Sequence, residues 1–269
     1  MSELVQLDVS MNGYLFGCFV LLGFWLMTWF ALRIAGMVDQ IPEFWWASLT
    51  CGLLGFTEPL FVPEYWDPPS VLKVGRWDLE SFVFCFAVGG VAAVVTELAP
   101  VKSFLVLMDA YVEKAIRSIL SAISKLSGGI LHSSMLDRPM TSRLIPPEQT
   151  RIENMLLMTF FLAALGATAQ LGLNIIYDAA IVCVATAVMV AWRRPSLRWQ
   201  ILGGGISFLL IYAVVLVIMD YTYPDFYDHW NLQALSGLWI LGAPAEEYLF
   251  AFTFGVLWAP FYEAWKESE

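Results

Sequence analysis

Two glutamates recur in matched surroundings. The stretch from Glu80 to Glu97 (ESFVFCFAVGGVAAVVTE) lies over the stretch from Glu246 to Glu263 (EEYLFAFTFGVLWAPFYE) without a gap. Glu80 meets Glu246, Phe82 meets Tyr248, Phe84 meets Phe250, Phe86 meets Phe252, Gly89 meets Gly255 and Glu97 meets Glu263. The second copy adds Glu247 directly after Glu246. A carboxyl buried among aromatic rings has a raised pKa and can keep its proton at neutral pH, and ring faces attract cations. That combination suits proton donation to an alkene, stabilisation of the carbocation by the rings, and proton removal by a second carboxylate. Acids in a first helical turn also favour the helix dipole. The dipole leaves unexplained why Glu80 is followed by the same aromatic ladder.

Glu58 is a further candidate, placed in Phe56-Thr57-Glu58-Pro59-Leu60 after Gly52 and Gly55. An ionisable group inside a membrane span costs on the order of 3 kcal/mol at the helix centre, so such residues are functional suspects by default. The competing reading is an interfacial carboxyl bonded to backbone freed by Pro59. At about 100° per residue, Phe84 and Phe250 lie about 40° from Glu80 and Glu246 and share their face. Phe82, Phe86, Gly89 and their counterparts Tyr248, Phe252, Gly255 fall on the other side, which assigns them to helix packing or lipid. Glu97 and Glu263 end their helices, where solvation accounts for them. Trp66, Asp220 and Asp225 complete the candidates, as substrate contacts.

The elements that must position these groups are transmembrane helices. Of 269 residues, 59% are hydrophobic and 14% charged, with a mean hydropathy of +0.69. Globular chains carry roughly 45–50% apolar and about 25% charged residues, so the surplus apolar surface belongs in lipid. Apolar runs near the ~20 residues of a helical span occur at about 12–35, 43–62, 80–98, 154–172, 175–192, 200–219 and 243–262. Of 14 basic residues, only Lys73 and Arg76 fall outside if the loop between the third and fourth helices is cytoplasmic. That bias places the N-terminus outside and the C-terminus in the cytoplasm of a multi-pass protein of the cell membrane. The N-terminal stretch lacks a basic leader region, which argues against a cleaved signal peptide.

The match extends upstream at a slightly different offset. Pro63-Glu64-Tyr65-Trp66-Asp67 meets Pro224-Asp225-Phe226-Tyr227-Asp228, and Arg33 meets Arg194. The expected fold is therefore an all-α membrane protein of seven transmembrane helices, built from two parallel three-helix repeats joined by an extra helix. The first repeat spans 1–98, a cytoplasmic amphipathic loop 99–150, the linking helix 151–173 and the second repeat 174–269. Parallel repeats share a cavity on their common axis, so Glu80 and Glu246 are expected to converge there. Within the loop, Phe104, Leu105, Met108, Tyr111, Val112 and Ile119 recur at helical spacing. They form a helix lying on the cytoplasmic interface or packing on the bundle.

The run Pro244-Ala245-Glu246-Glu247-Tyr248-Leu249-Phe250 resembles the Pro-x-Glu-Glu/Asp-x-x-Phe motif of the integral-membrane lycopene cyclase domain, which occurs duplicated or as separate subunits. The resemblance implies cofactor-independent cyclisation of the ends of lycopene, an intramolecular lyase or isomerase reaction of carotenoid biosynthesis. The motif glutamates would be acid and base. The first copy departs from it, since Ser81 follows Glu80 and Asp78 stands where the proline belongs.

Other classes fit less well. A net charge of −10 argues against a nucleic-acid partner, because phosphate backbones require a basic face. Two histidines and four cysteines without CxxC spacing give no metal site; Cys18, Cys51, Cys85 and Cys183 read as small buried thiols. A prenyl-protein protease needs histidines on helices, whereas His132 and His229 lie in loops. A retinal protein needs a lysine within a span, and none of the five is in one. No strand followed by GxGxxG marks a flavin or nicotinamide cofactor. Two alternatives stay open: a redox-neutral membrane cyclase of another prenyl or terpenoid substrate, and a non-catalytic membrane protein that binds a carotenoid or a partner. The sequence leaves the oligomeric state open.

Overall fold

A computed structural model of the chain describes residues 5–7, 12–126 and 172–265, with isolated positions between 159 and 170. It is mostly helical. Among the described residues four stretches are long and apolar enough to cross a bilayer: Gly13–Ile34, Leu79–Glu97, Ile175–Arg193 and Pro195–Thr222. They are α1 (Gly13–Ile34), α4 (Leu79–Val94) with its 3-10 extension, α6 (Ile175–Arg193) and α7 (Arg198–Thr222) with the turn before it. The expected linking helix at 154–172 and residues 127–150 of the loop fall outside the continuously described chain.

Two expected spans are broken. The run at 43–62 is α2 (Ile41–Gly52), a 3-10 stretch (Leu53–Thr57) and a short α3 (Glu58–Phe61). Gly52 and Gly55 let the chain settle against Phe86 and Phe82, and Pro59 has no amide hydrogen to continue an α-helical ladder. The run at 243–262 is α8 (Ala245–Trp258), separated from α9 (Phe261–Trp265) by Pro260.

The described chain also contains strands, contrary to the all-α expectation. β1 (Val5–Leu7) pairs antiparallel with β2 (Leu72–Val74), which pairs with β3 (Trp77–Asp78). A second hairpin joins β4 (Trp239–Ile240) to β5 (Ala243–Pro244). Both hairpins turn through residues at positive φ, Gly75 in the first and Leu241 with Gly242 in the second. Each runs directly into a helix, α4 or α8. Asp78 caps α4 by accepting from the Ser81 amide at 2.8 Å. The hairpin end of the bundle is thus where both glutamate motifs begin.

Small residues set the helix crossings. A Cβ on Gly89 would fall 2.2 Å from Cys51 Cβ, so α4 lies directly on α2. A Cβ on Gly255 would fall 2.6 Å from the Gly204 carbonyl oxygen, so α8 lies directly on α7. Phe82 and Phe86 cover Gly55 and Gly52, and Phe252 covers Gly205. This is the packing side of the motif. On its other side α4 and α8 meet, with the Phe84 and Phe250 rings 6.1 Å apart at the centre of the molecule. The amphipathic stretch forms α5 (Ala99–Leu126). Leu105 seats on Gly203 of α7, while Phe104, Leu107 and Tyr111 are exposed. Its first turns therefore pack on the bundle and leave an apolar side uncovered.

Candidate active site

A cavity of about 660 Å³ lies between α1, α2, α4, α6, α7 and α8. Its wall is almost wholly apolar and rich in rings, including Trp66, Phe84, Tyr212, Trp230, Phe250 and Phe254. Two acids line it, Glu58 and Glu247, both buried. Burial of a carboxyl requires hydrogen-bonding partners, and each acid has its own set.

Glu247 follows Pro244 by three residues and projects from the first turn of α8 into the cavity. Its Oε1 accepts from the Tyr65 hydroxyl at 2.5 Å and from Trp230 Nε1 at 2.9 Å. Its Oε2 accepts from the Tyr212 hydroxyl at 3.0 Å. Three donors from three separate segments hold one carboxyl in one orientation. Tyr65, in the loop after α3, is buried, and burial together with the neighbouring Glu247 pushes its phenol well above the ordinary value. Tyr65 is therefore a neutral donor throughout the physiological range. Trp66 beside it packs on Tyr14 (4.8 Å between centroids) and on Trp230 (5.4 Å), closing the cavity at the hairpin end.

Glu58 opens α3 and accepts from the Asp78 amide at 2.8 Å. Asp78 caps α4, and Ser81 in that first turn shares a hydrogen bond with the Tyr14 hydroxyl at 2.8 Å. Ser81 is the aligned counterpart of Glu247, and both face the cavity. The first copy therefore carries a hydroxyl where the second carries an acid. It supplies its own acid from α3 instead.

Glu80 and Glu246 do not converge on the cavity. Both are buried, but neither lines it. Glu80 accepts from the Val71 amide at 2.5 Å and from the Ser70 hydroxyl at 2.9 Å. Glu246 accepts from the Ser236 amide at 2.8 Å and from the Tyr177 hydroxyl at 2.5 Å. Each ties down the segment that leads into its own hairpin, a matched role with a packing purpose. The helical wheel explains the difference from expectation: Phe250 is four residues after Glu246 and three after Glu247, and either spacing keeps two residues on one face. The tie that binds Glu246 to the Ser236 segment turns it away and leaves Glu247 inward.

The remaining candidates divide. Phe84, Phe250 and Trp66 line the cavity. Asp220 does not; its carboxyl lies against Gly242 (φ +84), where a Cβ would fall 2.2 Å from Oδ2. Asp225 is exposed beyond the end of α7. Glu97 pairs with Lys102 at 2.7 Å. All four cysteines are free and line the cavity. Among the described residues no cluster could hold a metal ion. Tyr65, Tyr212 and Trp230 were not among the residues singled out by spacing. Tyr65 and Trp230 come from irregular loops where no period applies, and the only pointer was the aromatic match of Tyr65 with Phe226.

Two substitutions separate these roles. Tyr65→Phe removes one of the three donors to Glu247, a hydrogen bond worth about 0.5–1.5 kcal/mol, and is expected to lower turnover several-fold in protein that still folds. Glu80→Ala leaves the half-buried Val71 amide and Ser70 hydroxyl without their acceptor, which is expected to cost about 1 kcal/mol and to lower the thermal midpoint in detergent. The isosteric Glu80→Gln keeps an acceptor and most of the activity. Turnover by chromatography and melting by tryptophan fluorescence report the two effects.

A family model described as lycopene cyclase matches residues 174–265. The matched stretch runs from the N-cap of α6 through α9 and contains Glu246, Glu247, Tyr212, Trp230 and Phe250. It supports a lycopene cyclase domain and agrees with the resemblance of Pro244–Phe250. No curated protein and no solved structure matches the chain.

Proposed function

We propose that the protein is a membrane cyclase that closes an end of lycopene or a closely related polyene, with Glu247 and Glu58 as its acid–base pair. The observation that carries this is the cavity: two hydrogen-bonded carboxyls on the wall of an otherwise apolar, ring-lined chamber. The lycopene cyclase domain match supports the substrate class.

In the reaction one carboxyl gives a proton to the terminal alkene. The electron pair of a second alkene closes the ring and leaves a tertiary cation. The other carboxyl takes a proton from the adjacent ring carbon, and a new alkene results. One proton is added and one removed, so substrate and product are isomers and no oxidant or reductant is consumed. Phe84, Phe250, Trp66 and Trp230 present ring faces to the passing charge, a contact worth about 2 kcal/mol when desolvated. The dry wall also keeps water from quenching the cation.

In this reading the two halves, 1–98 and 174–269, are parallel repeats that have diverged at their acids. Glu80 and Glu246 are positioning residues that fix the hairpins from which α4 and α8 start. The hairpin end faces outward, since Lys73 and Arg76 are on the first hairpin while Arg33, Arg193 and Arg194 end α1 and α6 at the opposite end. Expression in lycopene-accumulating bacteria tests the proposal. A new, less retained ring-bearing product with the colour shift of shortened conjugation is expected; unchanged lycopene would refute it.

A further inference from the structure

We infer that the polyene enters the cavity sideways from the bilayer, through a mouth between α2 and α6. This rests on the reading of the cavity as a polyene site, and it adds the route.

The two halves are related in order but not in closure. α1 packs on the end of α7 and the segment after it: Gly17 lies under Met219 of α7, a Cβ on Gly13 would fall 2.8 Å from the Phe226 ring, and Phe16 packs on Tyr223 at 5.2 Å between centroids. The corresponding pair in the other half is α6 and α2. These helices do not pack along their lengths; α2 lies on α4, and α6 lies on α8. Neither register puts glycine on this seam: aligning the N-caps Asn12 and Asn174 brings Ile175 and Ala179, and pairing Arg33 with Arg194 brings Asn174 and Asp178, to where α1 has Gly13 and Gly17. The side chains that glycine omits on the closed seam are present here, and close approach is denied.

Both helices instead turn a stripe to the cavity at helical spacing. Trp46, Thr50 and Leu54 come from α2 and the turn after it; Ala179, Cys183 and Thr186 come from α6. The gap is bounded at each end. At the hairpin end the Asn174 side chain donates to the Glu64 carbonyl at 2.8 Å, and Trp66 pairs with Trp230. At the opposite end Trp46 stacks on Phe261 at 5.9 Å and meets Tyr262 at 5.5 Å. What remains between them is a window at membrane depth. Its lips are apolar and uncovered among the described residues, with the cavity-lining Leu54 41% and Leu60 54% exposed. An apolar solute dissolved in lipid has no reason to pass through water when such a window adjoins its site. A rigid conjugated chain entering by one mouth presents one end at a time to Glu247.

The test fills the window. Ala179→Trp and Leu54→Trp, each in the full-length chain in lycopene-accumulating bacteria, are expected to lower ring formation by about tenfold or more. Val188→Trp, on the lipid-facing side of α6, leaves it unchanged. Independently, wild-type protein in lipid vesicles is treated with a lipid-soluble thiol reagent and with a charged, water-soluble one. Cys183 is labelled by the first, spared by the second, and protected when lycopene is loaded. Full activity in both tryptophan variants, Cys183 unlabelled by the lipid-soluble reagent, or equal labelling by the charged one would overturn the lateral mouth. If wild-type protein forms no ring but Cys183 labels and is protected as stated, the mouth stands and the cyclase reading falls.

Discussion

Glu247→Gln is expected to lower ring formation by about 10²–10⁴-fold in folded protein, whereas Glu246→Gln is expected to keep most of it. General acid–base groups contribute that range, and an amide can neither give nor take the proton. The pair is informative because the residues are adjacent and nearly isosteric when changed. Glu247 alone faces the cavity, held by Tyr65, Tyr212 and Trp230. Glu246 is occupied with Ser236 and Tyr177. Glutamine retains an acceptor oxygen for the Ser236 amide, so the hairpin tie survives. Chromatography of the carotenoids, normalised to folded protein by size-exclusion in detergent, reads the difference. Equal losses in both variants would remove the distinction drawn between them.

The second large effect falls on folding. Gly255→Leu places a side chain where the Gly204 carbonyl oxygen already sits 2.6 Å from the Cβ position, and Gly89→Leu meets Cys51 at 2.2 Å. Neither obstacle is the tip of a flexible side chain: one is helix backbone, the other a Cβ. The helices must separate, and overpacking in a filled interior costs about 1–3 kcal/mol or more. Separation of α8 from α7 also moves Tyr212 away from Glu247, so activity falls with stability. Both variants are expected to lose most monodisperse protein on extraction. Gly23→Leu, at a position where an added Cβ meets nothing within 4 Å, is the tolerant comparison. Normal yields of all three would show that these crossings are looser than described.

These two predictions also mark what the sequence made legible. Aligning Glu80–Glu97 with Glu246–Glu263 separated the packing side, Gly89 and Gly255, from the side carrying Phe84 and Phe250, because helical periodicity governs both. The match could not decide between Glu246 and Glu247, which lie on adjoining parts of one face. That choice is made by Ser236 and Tyr177, residues far off in the chain whose spacing carries no helical signal. Glu58 was visible as a costly acid in an apolar run. Its partner, the Asp78 amide, was not, since it depends on a hairpin of two- and three-residue strands too short to leave a pattern. The hydropathy that marked 43–62 and 243–262 as spans measured composition and passed over Gly52, Gly55 and Pro260, which interrupt those helices. Tyr65 and Trp230 reach Glu247 from loops, where only the folded chain shows who meets whom.

In the proposed reaction a proton from a buried carboxyl, and no redox partner, starts ring closure. Purified protein in lipid discs, equilibrated in D₂O and in molar excess over lycopene, tests it in a single turnover, with no cofactor added. A cyclised product carrying one deuterium for each ring formed, at the carbon protonated first, is expected from wild-type protein, and no such product from Glu247→Gln. A cyclised product free of deuterium, or ring formation that persists in Glu247→Gln, would contradict it.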